Sequence, residues 1–80
     1  MVEVNLWSGM RRFVGDDLTV EVEAETIGEM LDALVAAHPA LKPVIDQGVS
    51  VAVDGEIHQG RHVPIPQGAE VFLMHRLKGG

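Results

Sequence analysis

One amphipathic helical segment, set between alternating apolar segments, is the strongest constraint on this chain. From Thr26 the apolar residues fall at Ile27, Met30, Leu31, Leu34 and Val35. That is the i, i+3, i+4, i+7, i+8 spacing of one helix face. Thr26-Ile27-Gly28-Glu29 reads as a capping box, with Thr26 at the N-cap and Glu29 three residues on. Glu29 and Asp32 fall off the apolar stripe. His38-Pro39 ends the segment, because proline disfavours the α region for the residue before it. The chain has 80 residues. A domain of that size buries roughly 60–65% of its unfolded surface. Its core is thin, and the helix stripe needs a single apolar face to pack against.

The flanking segments supply that face. Val2, Val4 and Leu6 alternate with Glu3, Asn5 and Trp7, and Leu18, Val20 and Val22 alternate with Thr19, Glu21 and Glu23. Period 2 of this kind marks strands with one wet face. Ser8 to Asp17, rich in Gly and Asp, reads as the hairpin loop between them. After the helix, Ala40 to Asp46 reads as a short helical turn packing Leu41, Val44 and Ile45, with Gly48 at its exit. Val51-Ala52-Val53 reads as a short strand, Asp54-Gly55 as a tight turn, and Glu56-Ile57-His58 as its brief partner. Residues 59–69 read as loop, since Pro64 and Pro66 cannot donate to a central ladder. Glu70 to Leu77 is the last strand, with Val71, Leu73 and His75 on one face and Phe72 and Met74 on the other.

This order predicts an α+β fold, a mixed four- to five-stranded sheet packed on one main helix. The first and last strands are expected to be the longest, central, adjacent and parallel. The expected organisation is one domain over residues 1–80, with 76–80 as a flexible C-terminal tail.

Composition narrows the function. The net charge is −6, which opposes binding to phosphate backbones and suits either solubility or steering toward a basic partner. Trp7, Phe13 and Phe72 are the aromatic residues, poor material for stacking bases. The absence of Cys removes disulfides, thiolate metal sites and a cysteine nucleophile. No apolar run is long enough to span a bilayer, and Met1-Val2-Glu3-Val4 lacks the basic start of a signal peptide. The expectation is a cytoplasmic protein with no nucleic-acid or membrane partner. His38, His58, His62 and His75 have no supporting carboxylate or Cys cluster, so no metal site is expected. Asp16-Asp17 reads as turn chemistry.

The sequence closes on Arg76-Leu77-Lys78-Gly79-Gly80. Glycine has no Cβ and tolerates nearly any φ. Such a tail can enter a narrow slot and present its carboxylate to a nucleotide. Two terminal glycines also arise by chance in roughly one chain in two hundred, so the remaining segments decide between the two.

Those segments resemble one family. Val4-Asn5-Leu6-Trp7, the Arg11-Arg12 pair before Gly15, the run from Thr26 to Leu34, His38-Pro39-Ala40-Leu41, Val51 to Gly55, Gly68-Ala69-Glu70-Val71 and Gly79-Gly80 look like the MoaD/ThiS family. These are ubiquitin-like β-grasp sulfur carriers. The resemblance implies a β-grasp fold and a carrier that works with partner enzymes without being an enzyme. An E1-like adenylyltransferase would use ATP and magnesium to adenylate Gly80. A sulfur donor such as a cysteine desulfurase or rhodanese would then convert it to a covalent C-terminal thiocarboxylate. An acceptor synthase subunit would take the sulfur in molybdopterin- or thiamine-type biosynthesis or a related pathway. No cofactor would be bound by the chain, and alone it would be a monomer.

Gly79 would let the backbone approach the nucleotide. Arg76 and Lys78, flanking Leu77, would either pair with acids in the partner's channel or form a solvated basic end. Trp7, Phe72 and Met74 are the expected docking patch on the outer sheet face. The competing reading is that Trp7 caps the core edge and the others are scattered surface apolars. Arg76-Leu77-Lys78 looks like ubiquitin's own end. That keeps open a ubiquitin-like modifier conjugated through Gly80 to lysines.

Overall fold

The computed structural model describes residues 2–58 and 60–75, with the backbone only of His75. Five strands form one mixed sheet: β1 (Val2–Asn5), β2 (Thr19–Val22), β3 (Val49–Val53), β4 (Glu56–His58) and β5 (Glu70–His75). Their order across the sheet is β2-β1-β5-β3-β4. The β5 strand holds the centre, parallel to β1 and antiparallel to β3. The expected adjacency and parallel pairing of first and last strands is therefore present. The β5 strand is the longest, as expected, but β3 with 5 residues exceeds β1 with 4.

Three helical segments accompany the sheet among the described residues: α1 (Arg11–Val14), α2 (Ile27–Ala37) and α3 (Lys42–Gln47). The main helix, α2, follows the sequence closely. Ile27, Met30, Leu31 and Leu34 are buried while Glu29 and Asp32 are exposed. The Thr26 hydroxyl accepts from the Glu29 amide at 3.2 Å. The reciprocal half of the box is displaced by one residue. The Glu29 carboxylate accepts from the Glu25 amide at 2.9 Å, not from that of Thr26.

The core lies between α2 and the inner sheet face. Strand alternation sends Val2, Val4, Val22, Val51, Val53, Val71 and Leu73 inward, and all are buried. Cross-strand register stacks them, with Val4 between Val20 and Val71 and Val53 opposite Val71. Each such side chain contributes about 1.5–3 kcal/mol by leaving water. Leu41, from the 3-10 turn Pro39–Leu41 that precedes α3, is also fully buried.

Two expectations need correction. Ser8 to Asp17 is not a plain hairpin loop. It holds a 3-10 turn, Ser8–Met10, followed by α1, and Met10 is completely buried. A hydrogen bond from the Leu6 amide to the Leu18 carbonyl (2.7 Å) closes this excursion at its base. Second, β3 begins at Val49, two residues earlier than expected, because Val49 and Ser50 pair with His75 and Met74. The described stretch after β4, residues 60–69, is loop as expected, and it forms a strap over the start of α2. The carbonyls of Val63 and Arg61 accept from the amides of Ile27 (3.0 Å) and Gly28 (2.8 Å), and the Ile65 amide donates to Glu25 (2.8 Å). A helix start leaves four amides without helical partners. Here the strap satisfies two and Thr26 a third.

The Asp54-Gly55 turn is as expected, with φ of 50° and 88°. Positive φ at both central residues matches the right-handed twist of the strands it joins. The Asp54 carboxylate also accepts from the Glu70 amide at 3.0 Å, which ties this hairpin to the start of β5.

Candidate functional site

The site expected from the sequence has two parts, the tail and the outer sheet face. Arg76, Leu77, Lys78, Gly79 and Gly80 lie outside the described residues, as does the His75 side chain. The described fold does fix where the chain is handed to them. The β5 strand runs parallel to β1, so it delivers residue 75 to the end of the sheet where β1 also finishes.

The outer face is organised by register. Thr19, Asn5, Phe72, Ala52 and Ile57 are successive Cα partners, one from each strand, and form a row across all five. Its two halves differ in chemistry. On β2 and β1, the Thr19 hydroxyl donates to the Asn5 side-chain oxygen (3.2 Å), and the Asn5 amide group donates to the Val71 carbonyl (3.1 Å). On β5, β3 and β4 the row is apolar: Phe72 is 44% exposed and Ile57 62%, with Ala52 between them at 9%. Met74, two residues beyond Phe72, shares its face opposite Ser50 and is half-buried.

Of the three expected docking residues, register therefore brings Phe72 and Met74 to one face. Trp7 is half-buried and packs partly against the core. Its indole also lies on the Gly9 backbone, since a Cβ built on Gly9 would fall 2.8 Å from Trp7 Nε1. Ile57, more exposed than any of the three, was not singled out from the sequence. A lone apolar residue in a three-residue strand has no periodicity to announce it.

A second row lies nearer the opposite end. Glu3 is the Cα partner of both Glu21 and Glu70, so three exposed carboxylates sit side by side on β2, β1 and β5. Directly opposed like charges destabilise a sheet, each pair by about 0.2–1 kcal/mol. No described cation forms an ion pair with any of the three. The described pairs are Lys42–Asp46, His58–Glu56 and Arg61–Asp32.

Among the described residues, no group of three or more His, Cys, Asp or Glu side chains is arranged to hold a metal ion. No described helix is long and apolar enough to cross a membrane. A groove of about 360 Å³ at the start of β1 is lined by Val2, Glu23, Ala24, Glu25, Glu29, Ile65 and Gln67. It lies away from the end where β5 hands on the chain.

Comparison with known proteins agrees with the fold. Residues 4–80 match the model of the ThiS family. The fold superposes on a chain of the BexX/CysO complex of Amycolatopsis orientalis with a TM-score of 0.82, at 20% identity and full coverage of both chains. It is similar to SAMP1 from Haloferax volcanii, with a TM-score of 0.71, 31% identity, and 99% and 98% of the two chains covered. A second structure of that small archaeal modifier protein superposes with a TM-score of 0.61 at 28% identity, over 90% of this chain and 92% of the other. No curated protein sequence matches.

Proposed function

The chain belongs to the ThiS family, and from that premise we propose that it carries sulfur on the carboxyl carbon of Gly80. It is a ubiquitin-like protein of the sulfur-carrier and modifier kind, and the proposal concerns the chemistry. The supporting observation is a family match that runs through Gly80, on a fold whose central strand leads toward the Gly-Gly end.

A carboxylate resists nucleophiles because its charge is delocalised and oxide is a poor leaving group. A partner of the E1-like class removes that obstacle with ATP and magnesium. The Gly80 carboxylate attacks the α-phosphate, pyrophosphate leaves, and an acyl adenylate forms. The terminal sulfur of a persulfide, held by a donor such as a cysteine desulfurase or rhodanese, then attacks the carbonyl and AMP leaves. A thiol cuts the resulting acyl disulfide, forming a disulfide and releasing the thiocarboxylate. An acceptor synthase subunit takes that sulfur into a molybdopterin- or thiamine-type product or a related one.

In this scheme the chain supplies no acid, base or metal. It supplies a reactive end and a surface that brings that end to the partner, which is catalysis by proximity. Gly79 lets the backbone approach the nucleotide, and Arg76 and Lys78 pair with acids along the partner's channel. Phe72, Met74 and Ile57 form the docking face, since clustered exposed apolar residues mark interaction sites.

A second reading has a specific observation in its favour, the 31% identity to SAMP1. In it the same adenylate is attacked by a lysine amine of another protein, giving an isopeptide bond at Gly80. Deleting Gly80 tests what both readings share. Sulfur transfer and conjugation should be abolished in the host while the melting temperature is unchanged. Normal function of the deleted chain would overturn both.

A further inference from the structure

Arg11 and Arg12 are conspicuous in an acidic protein, and neither the fold nor the scheme above uses them. Both are exposed on α1. The other two described Lys and Arg residues are each held by an acid: Lys42 by Asp46 and Arg61 by Asp32, both at 2.9 Å. Among the described residues, no ion pair involves Arg11 or Arg12. Arg12 instead lies over the Phe13 ring, 5.5 Å from its centroid. That contact restrains the guanidinium without neutralising its charge.

Their position is fixed by the core. The excursion from Leu6 to Leu18 leaves the sheet where β1 ends, and the buried Met10, immediately before α1, anchors it. This is also the end at which β5 hands on to residues 76–80. Arg11 and Arg12 share this excursion with the exposed Asp16 and Asp17, of which Asp17 accepts from the Thr19 amide at 3.1 Å. The Glu21-Glu3-Glu70 row lies toward the other end of the same strands.

We propose that Arg11 and Arg12 form an electrostatic docking element for an acidic protein surface beside the slot that receives the Gly-Gly tail. The inference rests on the carrier or modifier reading and extends it to the partner's surface chemistry. Charge complementarity argues for this occupant. Two exposed cations in no described ion pair, at the end of the sheet where β5 finishes, would orient the protein before contact, as complementary charge speeds and registers association. A nucleic acid is disfavoured because the net charge of −6 and the carboxylate row would repel its backbone.

The test uses the full chain with the E1-like adenylyltransferase of its own host, read by ATP–pyrophosphate exchange at several salt concentrations. Reversal of both charges, Arg11→Glu with Arg12→Glu, should raise the KM for the chain about tenfold. It should leave kcat within about twofold and flatten the salt dependence. The neutral pair, Arg11→Gln with Arg12→Gln, should fall between. Lys42→Gln removes a charge elsewhere and should leave KM unchanged. Thermal melts of all variants should coincide with wild type. An unchanged KM and salt slope in the reversed variant would overturn the inference alone. No exchange with the wild-type chain would overturn the parent reading and the inference with it. Wild-type binding to a short DNA duplex that is lost in the reversed variant would replace the acidic protein surface with a nucleic acid.

Discussion

Met10 sits in a stretch that reads as loop, yet it is completely buried. Its truncation is therefore a sharp test of how α1 is held. Replacing a buried Met by Ala costs about 2–5 kcal/mol, from lost transfer energy plus the cavity that remains. A central value of about 3 kcal/mol is taken for this fully buried side chain. A chain of this size has about 4–12 kcal/mol of stability in all, so the change consumes a large share. In melting temperature it is a fall of about 12–24 °C for a domain this small. Equilibrium urea unfolding should show a lower midpoint with an unchanged slope. Arg11→Ala, one residue on and exposed, should stay within about 0.5 kcal/mol of wild type. A Met10→Ala change below about 0.5 kcal/mol would refute the anchored excursion and return Ser8–Asp17 to a plain loop.

Three further outcomes follow from the geometry. Gly28→Ala gains about 0.5–1 kcal/mol of helix propensity, but its Cβ would fall 3.1 Å from the Arg61 carbonyl oxygen, whose bond to the Gly28 amide cannot lengthen freely. Net destabilisation of about 1 kcal/mol by urea unfolding is expected, and a stabilised variant would show that the strap yields at no cost. Glu3→Gln relieves both like-charge contacts and should stabilise by about 0.4–2 kcal/mol at low salt, less at high salt, whereas an equal or lower melting temperature at low salt would mean the row is not repulsive. Phe72→Ala and Ile57→Ala should each weaken partner binding about tenfold or more while lowering stability by under about 1 kcal/mol, and unchanged binding would move the docking face off this row.

The parts of the fold that were legible share one property, a local repeat. The α2 stripe and the alternation in β1, β2 and β5 each repeat within a few residues, so inward and outward faces could be assigned directly. The Ser8–Val14 segment has no such repeat. Two short helical turns, Ser8–Met10 and Arg11–Val14, lie around Gly9 and before the Gly15-Asp16-Asp17 group, and the turn signals mask a single buried Met. The strap over α2 was hidden for a different reason. Its bonds are made by the carbonyls of Arg61 and Val63, and backbone acceptors leave no side-chain signature. The carboxylate row was visible as three separate glutamates, but which glutamate faces which is a matter of pairing between distant strands. The docking row failed at Ile57 for the same reason, since only the Ala52–Ile57 register places it in one row with Phe72, across Ala52. The tail reversed the pattern, because Gly79 and Gly80 carry meaning through missing side chains, which sequence displays directly.

The central claim is that Gly80 carries sulfur. Intact mass of the protein purified from its own host under non-reducing conditions tests it most directly, with fragmentation to localise any change. The account predicts a species heavier by one oxygen-to-sulfur exchange, placed at Gly80. Only free carboxylate under every growth condition, or conjugates joined to lysines through Gly80 with no sulfur-bearing form, would contradict it.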